Sequence, residues 1–443
     1  MRRKLAQCDD GNAQEDDRIA RHMIRTEQAS LKIAASFGGI FLTVLLVLAL
    51  RFCGYVPYSI FETQLHAAAY AINEFANPYR LNGACRLAVP LYDVSMALDP
   101  HFTFPYNNRG ICYSNFGDEW AAISDYDMAI ALDPNYMHAY LNRAYAYSSL
   151  ARFDRALADA NKVLELAPIE AQSYFARATV YDDARDDVSA LADYDSALAI
   201  DPKYENAWAS RARLFMRREE WLSALADLNE ALKLRPYDFN LLFDRGKVHN
   251  NLSQFDEALA DFNREIARAP RIPGSYTGRG IALYGLRQFQ SAQDDFNRTL
   301  SIDPEYVDAL EGRANTEMML GQDARAVTDL TRALEISPTR GSALANRCIA
   351  QYYAGNGRAG IEDCNRALEI NPDDKYALNN RSFINLNTGQ VAQAMRDLDK
   401  SLALDPQQST IYYHRAAVKR ALGDEAGARA DTEAAEYWAS KHG

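Results

Sequence analysis

The chain lacks the residue patterns that bind metals or carry out catalysis. Its six cysteines form no CxxC pair, and its seven histidines are scattered without the spacing usual for zinc ligands. No phosphate-binding glycine loop, nucleophile elbow or metal-binding helix motif occurs. We therefore expect a protein that is not an enzyme by itself and that needs neither a metal nor a cofactor.

Basic residues, glycine and proline are also scarce. The chain has 48 Lys and Arg against 60 Asp and Glu, a net charge of −12. Nonspecific nucleic-acid binding needs basic groups that neutralise phosphates, so the charge argues against that function. The 22 glycines and 15 prolines are too few for a disordered chain of 443 residues, and the 48% of hydrophobic residues is ample for a core. Most of the chain should therefore fold.

One long uncharged run occurs, at residues 33–50, with the sequence IAASFGGIFLTVLLVLAL. As a helix it would be about 27 Å long, close to the roughly 30 Å hydrocarbon core of a bilayer. It predicts a single transmembrane helix after a polar tail, residues 1–32. A cleaved signal peptide and a buried core helix are the alternatives. The long tail and the lack of an A-x-A-like cleavage site favour an uncleaved anchor.

The orientation of this anchor follows from its basic flanks. Arg18, Arg21, Arg25 and Lys32 precede the run, whereas only Arg51 lies in the twenty residues after it. Because basic flanks stay on the cytoplasmic side, we expect a cytoplasmic tail. The rest of the chain would then lie outside the cytoplasm, on the periplasmic side of the inner membrane if the source is bacterial. Small residues four apart in the run leave helix pairing, and thus the oligomeric state, open.

A fixed period of 34 residues organises the chain after this run. Ten prolines recur at this interval without a slip: Pro100, Pro134, Pro168, Pro202, Pro236, Pro270, Pro304, Pro338, Pro372 and Pro406. Such a period is typical of repeat architectures, in which length measures the number of repeats. We divide the chain into a linker and degenerate capping hairpin, residues 51–102, and ten tandem repeats, residues 103–442.

Each repeat has the pattern of two helices. In the first, Tyr106, Gly110 and Tyr113 are three and four residues apart and form one helical face. After a break, Ala122 and Tyr126 begin a second helical pattern that ends at an Asp-Pro pair. The unit is therefore a helical hairpin. Because one hairpin cannot bury its faces alone, its neighbours must stack on it, which predicts an all-α fold.

This unit resembles the tetratricopeptide repeat. The features that carry the resemblance are a large residue early in the first helix, a small residue four later, Ala in the second helix and a closing Pro, all in 34 residues. The resemblance covers residues 103–442. It implies an α-solenoid that winds into a right-handed superhelix, with a concave surface lined by first helices that often holds extended peptides.

Two charged columns run through all ten repeats. An arginine occupies one place of each first helix: Arg109, Arg143, Arg177, Arg211, Arg245, Arg279, Arg313, Arg347, Arg381 and Arg415. An aspartate occupies one place of each second helix: Asp125, Asp159, Asp193, Asp227, Asp261, Asp295, Asp329, Asp363, Asp397 and Asp431. Opposite charges in step predict a ladder of ion pairs, either within one hairpin or with the preceding one. A basic stripe for an anionic ligand is disfavoured, because the aspartates would neutralise it.

Ligand contacts are expected on the first helices. Asparagine precedes the repeat arginine at Asn108, Asn142, Asn346 and Asn380, and its amide can bond both a donor and an acceptor of an extended backbone. Towards the C-terminus, further candidates add mostly aromatic surface: Tyr352, Tyr353, Tyr376, Phe383 and Asn387. The alternatives are that the asparagines are solvated amides and that some tyrosines pack between neighbouring hairpins.

Four cysteines occupy places where two pairs can form. Cys348 and Cys364 lie at facing places of one hairpin, and Cys85 and Cys112 belong to the capping hairpin and the first full repeat. An oxidising compartment would favour two disulfides. The alternative is that all four are reduced core residues.

These features predict a membrane-anchored scaffold that binds extended segments of partner proteins outside the cytoplasm. The alternative is a regulatory or assembly subunit of an envelope enzyme complex, with the catalytic residues on another chain. In both cases the partners are proteins or peptides, and the bilayer contacts residues 33–50.

The predicted topology can be tested with alkaline phosphatase, which is active only outside the bacterial cytoplasm. A fusion after Pro100 should be active, because the basic tail holds the opposite end of the anchor inside. A fusion after Thr26, within the tail, is the matched control and should be inactive. An inactive Pro100 fusion would contradict the orientation.

Overall fold

The structure is a computed structural model that describes residues 58–442. The predicted tail and the predicted transmembrane run, residues 33–50, lie outside this range. Among the residues described, no helix is both long enough and apolar enough to cross a membrane. The fold below therefore concerns the capping hairpin and the repeats.

Residues 58–442 form 22 α-helices and no strands, arranged as eleven helical hairpins. The first helices of the hairpins are α1 (Tyr58–Leu81), α3 (Thr103–Asn115), α5 (Met137–Ser149), α7 (Ala171–Asp183), α9 (Glu205–Arg217), α11 (Phe239–Asn251), α13 (Pro273–Gly285), α15 (Val307–Met319), α17 (Gly341–Tyr353), α19 (Lys375–Asn387) and α21 (Ser409–Ala421). The second helices are α2 (Cys85–Leu98), α4 (Glu119–Leu132), α6 (Phe153–Leu166), α8 (Asp187–Ile200), α10 (Trp221–Leu234), α12 (Phe255–Ile266), α14 (Phe289–Ile302), α16 (Asp323–Ile336), α18 (Gly357–Ile370), α20 (Val391–Leu404) and α22 (Glu425–His442).

The chain divides into two compact units, Met1–Ala207 and Trp208–Gly443. Within each unit the two helices of a hairpin pack together, and successive hairpins stack. The all-α prediction and the solenoid of stacked hairpins are confirmed at this level.

The turn inside each hairpin has a left-handed residue at the same place of the period. In the first repeat this residue is Gly117, with φ of +78°. Its N–H donates to the Ser114 carbonyl, and the next N–H, of Asp118, donates to the Tyr113 carbonyl, which closes α3 in a Schellman motif. The same place is non-glycine in five consecutive hairpins: Ala151, Arg185, Glu219, Ser253 and Arg287, with φ between 53° and 64°. Only Gly117 was visible as a break in the sequence pattern.

Small residues let the two helices of a hairpin approach closely. A Cβ added to Gly110 would lie 2.6 Å from the Tyr126 ring, so a side chain there would displace the ring. Ala122 of the second helix is fully buried, as is the equivalent Ala156 in the next hairpin. The small columns therefore set the spacing between helices, and rings such as Tyr126 fill the remaining core.

The first hairpin departs from the prediction in two ways. Helix α1 has 24 residues and runs through Pro78, where α3 has 13. Helix α2 continues through Pro90 over its full 14 residues. Both prolines are exposed, so water can reach the carbonyls that lose their helical donors. The cap is therefore a full hairpin with an extended first helix.

The arginine and aspartate columns meet inside each hairpin. Arg245 donates from Nε to one carboxylate oxygen of Asp261 and from Nη2 to the other, at 2.7 and 2.6 Å. The same bidentate pair occurs in all ten repeats, with distances of 2.6 to 2.9 Å. The question that the sequence left open is answered: the aspartate partner belongs to the arginine's own hairpin.

The arginines also reach the preceding hairpin. Nη1 of Arg245 donates to the Asn229 side chain at 2.9 Å, sixteen residues back on the preceding second helix. Equivalent bonds join Arg109 to Asp93, Arg143 to Asp127, Arg177 to Asn161, Arg279 to Asn263, Arg313 to Asn297, Arg347 to Thr331, Arg381 to Asn365 and Arg415 to Asp399. One planar guanidinium thus links three helices.

At one place of the second helix six of the ten repeats have alanine, and two of the four exceptions are the polar residues Thr299 and Glu265. Thr299 is fully buried, and its hydroxyl lies 3.0 Å from that of Thr277. Glu265 is 1% exposed; its Oε1 accepts a hydrogen bond from Ser275 at 2.8 Å, and its Oε2 is buried without a partner among the described residues. Burial raises the pKa of Glu265 to about 7. Glu265 is therefore a destabilising residue when it is charged.

Replacing Arg245 by Ala should lower the free energy of unfolding by about 3 kcal/mol, because Asp261 would remain buried without its cation. The Asp261 side chain is only 3% exposed. Denaturant unfolding measures the change. Arg358→Ala is the control, since its side chain is 96% exposed beside Glu362, and it should change the free energy of unfolding by less than about 0.5 kcal/mol. Unchanged stability with lost partner binding would instead assign the arginine column to a ligand.

Replacing Glu265 by Gln should stabilise the protein at pH 8 and have little effect at pH 4. The folded pKa of about 7 lies above that of an unfolded Glu, so the stability this group supports is present below about pH 4.3 and is lost as the pH rises through 7. Thermal unfolding at the two pH values tests this. Glu257→Gln, on the exposed face of α12, is the control. Equal shifts at both pH values would contradict the assignment.

Candidate functional site

Asn108, predicted to contact a ligand, is buried between two hairpins. It is 8% exposed, and its Nδ2 donates to Oδ1 of Asn73 and of Asn77 at 3.0 and 3.1 Å. Both acceptors lie on α1, the first helix of the preceding hairpin. The prediction is wrong for Asn108, because its place faces the preceding helix and not an open surface.

The asparagine that precedes the repeat arginine also links hairpins elsewhere in the chain. Nδ2 of Asn142 donates to Oδ1 of Asn107 at 2.8 Å, and Nδ2 of Asn380 donates to the Ala345 carbonyl at 2.9 Å. Each acceptor lies 35 residues earlier, so these amides act first as bridges between first helices. Asn346 differs: it is half-buried, and its side chain has no hydrogen-bond partner within residues 58–442. Of the four asparagines, Asn346 keeps a free amide.

The C-terminal aromatic residues do come together. The Tyr352 ring lies 5.5 Å from that of Tyr353 and 5.6 Å from that of Phe383, measured between centroids. Phe383 also lies 5.9 Å from the ring of His414. We call Tyr352, Tyr353, Phe383 and His414 the aromatic patch. It spans α17, α19 and α21, the first helices of three consecutive hairpins in the second unit.

The patch is fixed on its inner side and open on its outer side. Tyr352 is half-buried and packs on the cluster formed by Cys348, Cys364 and Ile384, which agrees with the packing alternative for this tyrosine. Tyr353 is 55% exposed. The inner residues therefore hold the rings in place, and Tyr353 presents an aromatic face to solvent.

Two further predicted residues lie on α19, the helix that carries Phe383. Tyr376 is 75% exposed, and Asn387 is exposed as well. The Asn387 amide donates to the Phe383 carbonyl of its own helix at 2.8 Å. Tyr376 adds aromatic surface, whereas Asn387 is partly committed to its helix.

His414 belongs to the patch and was not predicted from the sequence. Its Nδ1 lies 2.7 Å from Oδ1 of Asn379, 35 residues earlier. It takes the place that asparagine takes at Asn346 and Asn380, and that equivalence is the signal that would have revealed it. Burial lowers the pKa of His414, so the ring is neutral at pH 7. The patch as a whole is therefore uncharged.

The structure also joins two cysteine pairs. Cys348 bonds Cys364 between α17 and α18, directly beneath Tyr352. Cys85 bonds Cys112 between α2 and α3 and thereby fastens the capping hairpin to the first repeat. The first of these disulfides supports the inner side of the patch.

A concave region of about 750 Å³ lies in the second unit beside α10. Arg245 lines it and is already bound to Asp261 and Asn229. Within the part of the chain that the structure describes, no group of three His, Cys, Asp or Glu residues is placed to hold a metal ion. The aromatic patch is therefore the better candidate for a binding site.

The geometry defines a class of protein: a stack of 34-residue helical hairpins, held in register by an arginine in each first helix. Family models described as tetratricopeptide repeat match residues 138–170, 210–271 and 277–340. These matched segments are tetratricopeptide repeats. Proteins of this family generally mediate protein–protein interactions and typically serve as non-catalytic scaffolds.

Several solved structures are similar to this chain. A crystal structure of a tetratricopeptide repeat protein from Parabacteroides merdae is 18% identical and superposes with a TM-score of 0.50 over 56% of this chain and 98% of its own. The Cut9–Hcn1 hetero-tetramer of the APC/C is 13% identical, with a TM-score of 0.46 over 85% and 90% of the two chains. YrrB, described as a TPR protein with an unusual peptide-binding site, is 23% identical, with a TM-score of 0.37 over 42% and 95%. No curated protein matches the chain.

Proposed function

We propose that this protein is a membrane-anchored, non-enzymatic scaffold that binds extended segments of partner proteins outside the cytoplasm. The observation that carries the proposal is the aromatic patch with its exposed neighbours. Aromatic side chains are the most frequent anchors of protein interfaces, because they bury a large area at a small cost in side-chain entropy. Tyr353 and Tyr376 are more than half exposed on first helices that otherwise bury their large residues.

The rigidity of the patch supports the same function. Its inner rings rest on a disulfide, and each of its helices is held by the repeat arginine, namely Arg347, Arg381 or Arg415. A surface that does not rearrange on binding loses little conformational entropy, which favours affinity.

Two independent features support a location outside the cytoplasm. The run at residues 33–50 and its basic N-terminal flank favour an anchor with the repeats on the far side. The two disulfides, Cys85–Cys112 and Cys348–Cys364, are typical of an oxidising compartment. The proposed site of action is thus the outer face of the membrane to which the chain is anchored.

Photo-crosslinking tests the binding surface. Full-length protein carrying benzoylphenylalanine at position 353 should form adducts with partner segments in its native membrane, and the same probe at position 237 should not. Tyr237 is 63% exposed and lies in the same unit but outside the patch. A second probe at position 376, combined with the double change Asn346→Ala and Tyr353→Ala, should lose its adducts by about tenfold or more, because an aromatic anchor and a free amide are both removed.

The pattern of adducts separates the outcomes. Several different partners, each crosslinked through an extended segment, would support the scaffold. One stoichiometric enzyme would support the regulatory subunit instead. Adducts that are equally strong from position 237, or unaffected by the double change, would contradict binding at the patch.

A further inference from the structure

The concave region beside α10 has groups that fit a charged segment. We propose that it binds an acidic segment of a partner protein in which a carboxylate stands beside an apolar side chain. We call this region the α10 groove and define it by Trp208, Asn229, Leu232, Pro236 and Arg264, which all line it. It shares no residue with the aromatic patch, so it is a further binding site that can be tested separately.

A contact that other repeats make is missing at this groove. In two later repeats, the basic residue at the place of Arg264 donates to the carbonyl of the preceding repeat proline: Arg332 to Pro304 at 3.3 Å and Lys400 to Pro372 at 2.6 Å. Within the residues described, Arg264 makes no such bond to Pro236, although both line the groove. A side chain that joins neighbouring repeats elsewhere is therefore uncommitted here.

Arg264 is also the one cation of the groove lining without an anionic partner among residues 58–442. The other three are held in ion pairs: Arg211 with Asp227 at 2.7 Å, Lys233 with Glu230 at 2.5 Å, and Arg245 with Asp261 at 2.6 Å. Arg264 is exposed and makes no hydrogen bond or ion pair within the same range. A carboxylate that enters the groove therefore meets an unneutralised guanidinium, which can bind it with two parallel hydrogen bonds.

The rest of the lining suits the remainder of such a segment. Oδ1 of Asn229 accepts from Arg245 at 2.9 Å, which leaves Nδ2 of the same amide as a donor for a backbone carbonyl. Trp208 and Leu232 line the same space as Arg264 and provide apolar surface. A free phosphate ion would leave that surface unused, whereas a peptide with a carboxylate beside an apolar side chain contacts both kinds of group.

Size and charge limit the occupant further. The volume of about 750 Å³ lies within the range of about 300–1,000 Å³ that is usual for ligand sites, so the groove holds a few side chains of a segment. A basic segment is disfavoured, because Asp227 and Glu230, the acidic residues of the lining, are already paired. Such a segment would meet the charge of Arg264 without gaining an ion pair.

The test uses the full-length chain purified in detergent and three fluorescein-labelled peptides of twelve residues. They repeat Leu-Glu-Gly, Leu-Gln-Gly and Ser-Glu-Gly, so the second lacks the charge and the third lacks the apolar side chain. Fluorescence anisotropy should show at least about tenfold tighter binding of the first peptide than of either other, a difference of about 1.4 kcal/mol. Arg264→Gln should remove the preference for glutamate over glutamine, and Arg264→Lys should keep part of it. Arg271→Gln removes the same charge from an exposed residue outside the groove and should leave the binding unchanged.

Each other result counts against the inference. Equal binding of the Leu-Glu-Gly and Ser-Glu-Gly peptides would indicate an anion site without apolar contact. A preference for glutamate that persists in Arg264→Gln would place the site elsewhere, and one that is lost equally in Arg271→Gln would reflect the overall charge of the chain. No binding of the Leu-Glu-Gly peptide would overturn the inference, while crosslinking from position 353 would still decide the proposed function separately. Near-ultraviolet circular dichroism of each variant checks that the repeats remain folded.

Discussion

The whole array depends on one interaction, the three-way hydrogen bonding of the repeat arginine. In all ten full repeats a guanidinium holds the buried aspartate of its own hairpin with two parallel bonds, and in nine of them Nη1 reaches the preceding hairpin, as Arg245 does with Asp261 and Asn229. The guanidinium is planar, so these bonds fix an orientation as well as a distance. The partner sixteen residues later in the chain holds the two helices of a hairpin together, and the partner sixteen residues earlier holds the hairpin to the preceding one. An insertion between the arginine and either partner would move that partner away. The strict period of 34 residues follows from this constraint.

The residues that hold the helices together differ from those that are available to bind a partner. The arginine, the aspartate and the small residues of each repeat are committed to neighbouring helices, as Gly110 is to the Tyr126 ring. The exposed residues of the first helices do not hold neighbouring helices together, and they differ between repeats. The aromatic patch brings the exposed Tyr353 together with the half-buried Phe383 and His414 in consecutive hairpins. The last hairpins therefore have a surface that the frame itself does not require.

The sequence was sufficient to predict what the period controls. The hairpins and the two charged columns repeat without interruption, so their positions could be predicted from spacing alone. The contacts that a residue makes with a neighbouring hairpin could not be predicted from spacing. Asn108 is buried against Asn73, and His414 takes an asparagine's place, because both depend on how far one first helix is offset from the next.

The left-handed residue of each turn determines which hairpins contain backbone strain. Glycine adopts this conformation at no steric cost, whereas a residue with a Cβ pays about 1 kcal/mol. Glycine holds the place in the first two hairpins and the last four, and the five hairpins between them, from Ala151 to Arg287, hold a side chain there. These five hairpins therefore contain backbone strain that the hairpins with glycine do not. Glycine at Ser253 or Arg287 would release it without touching an ion pair or the aromatic patch, so the turns offer a way to adjust stability independently of binding.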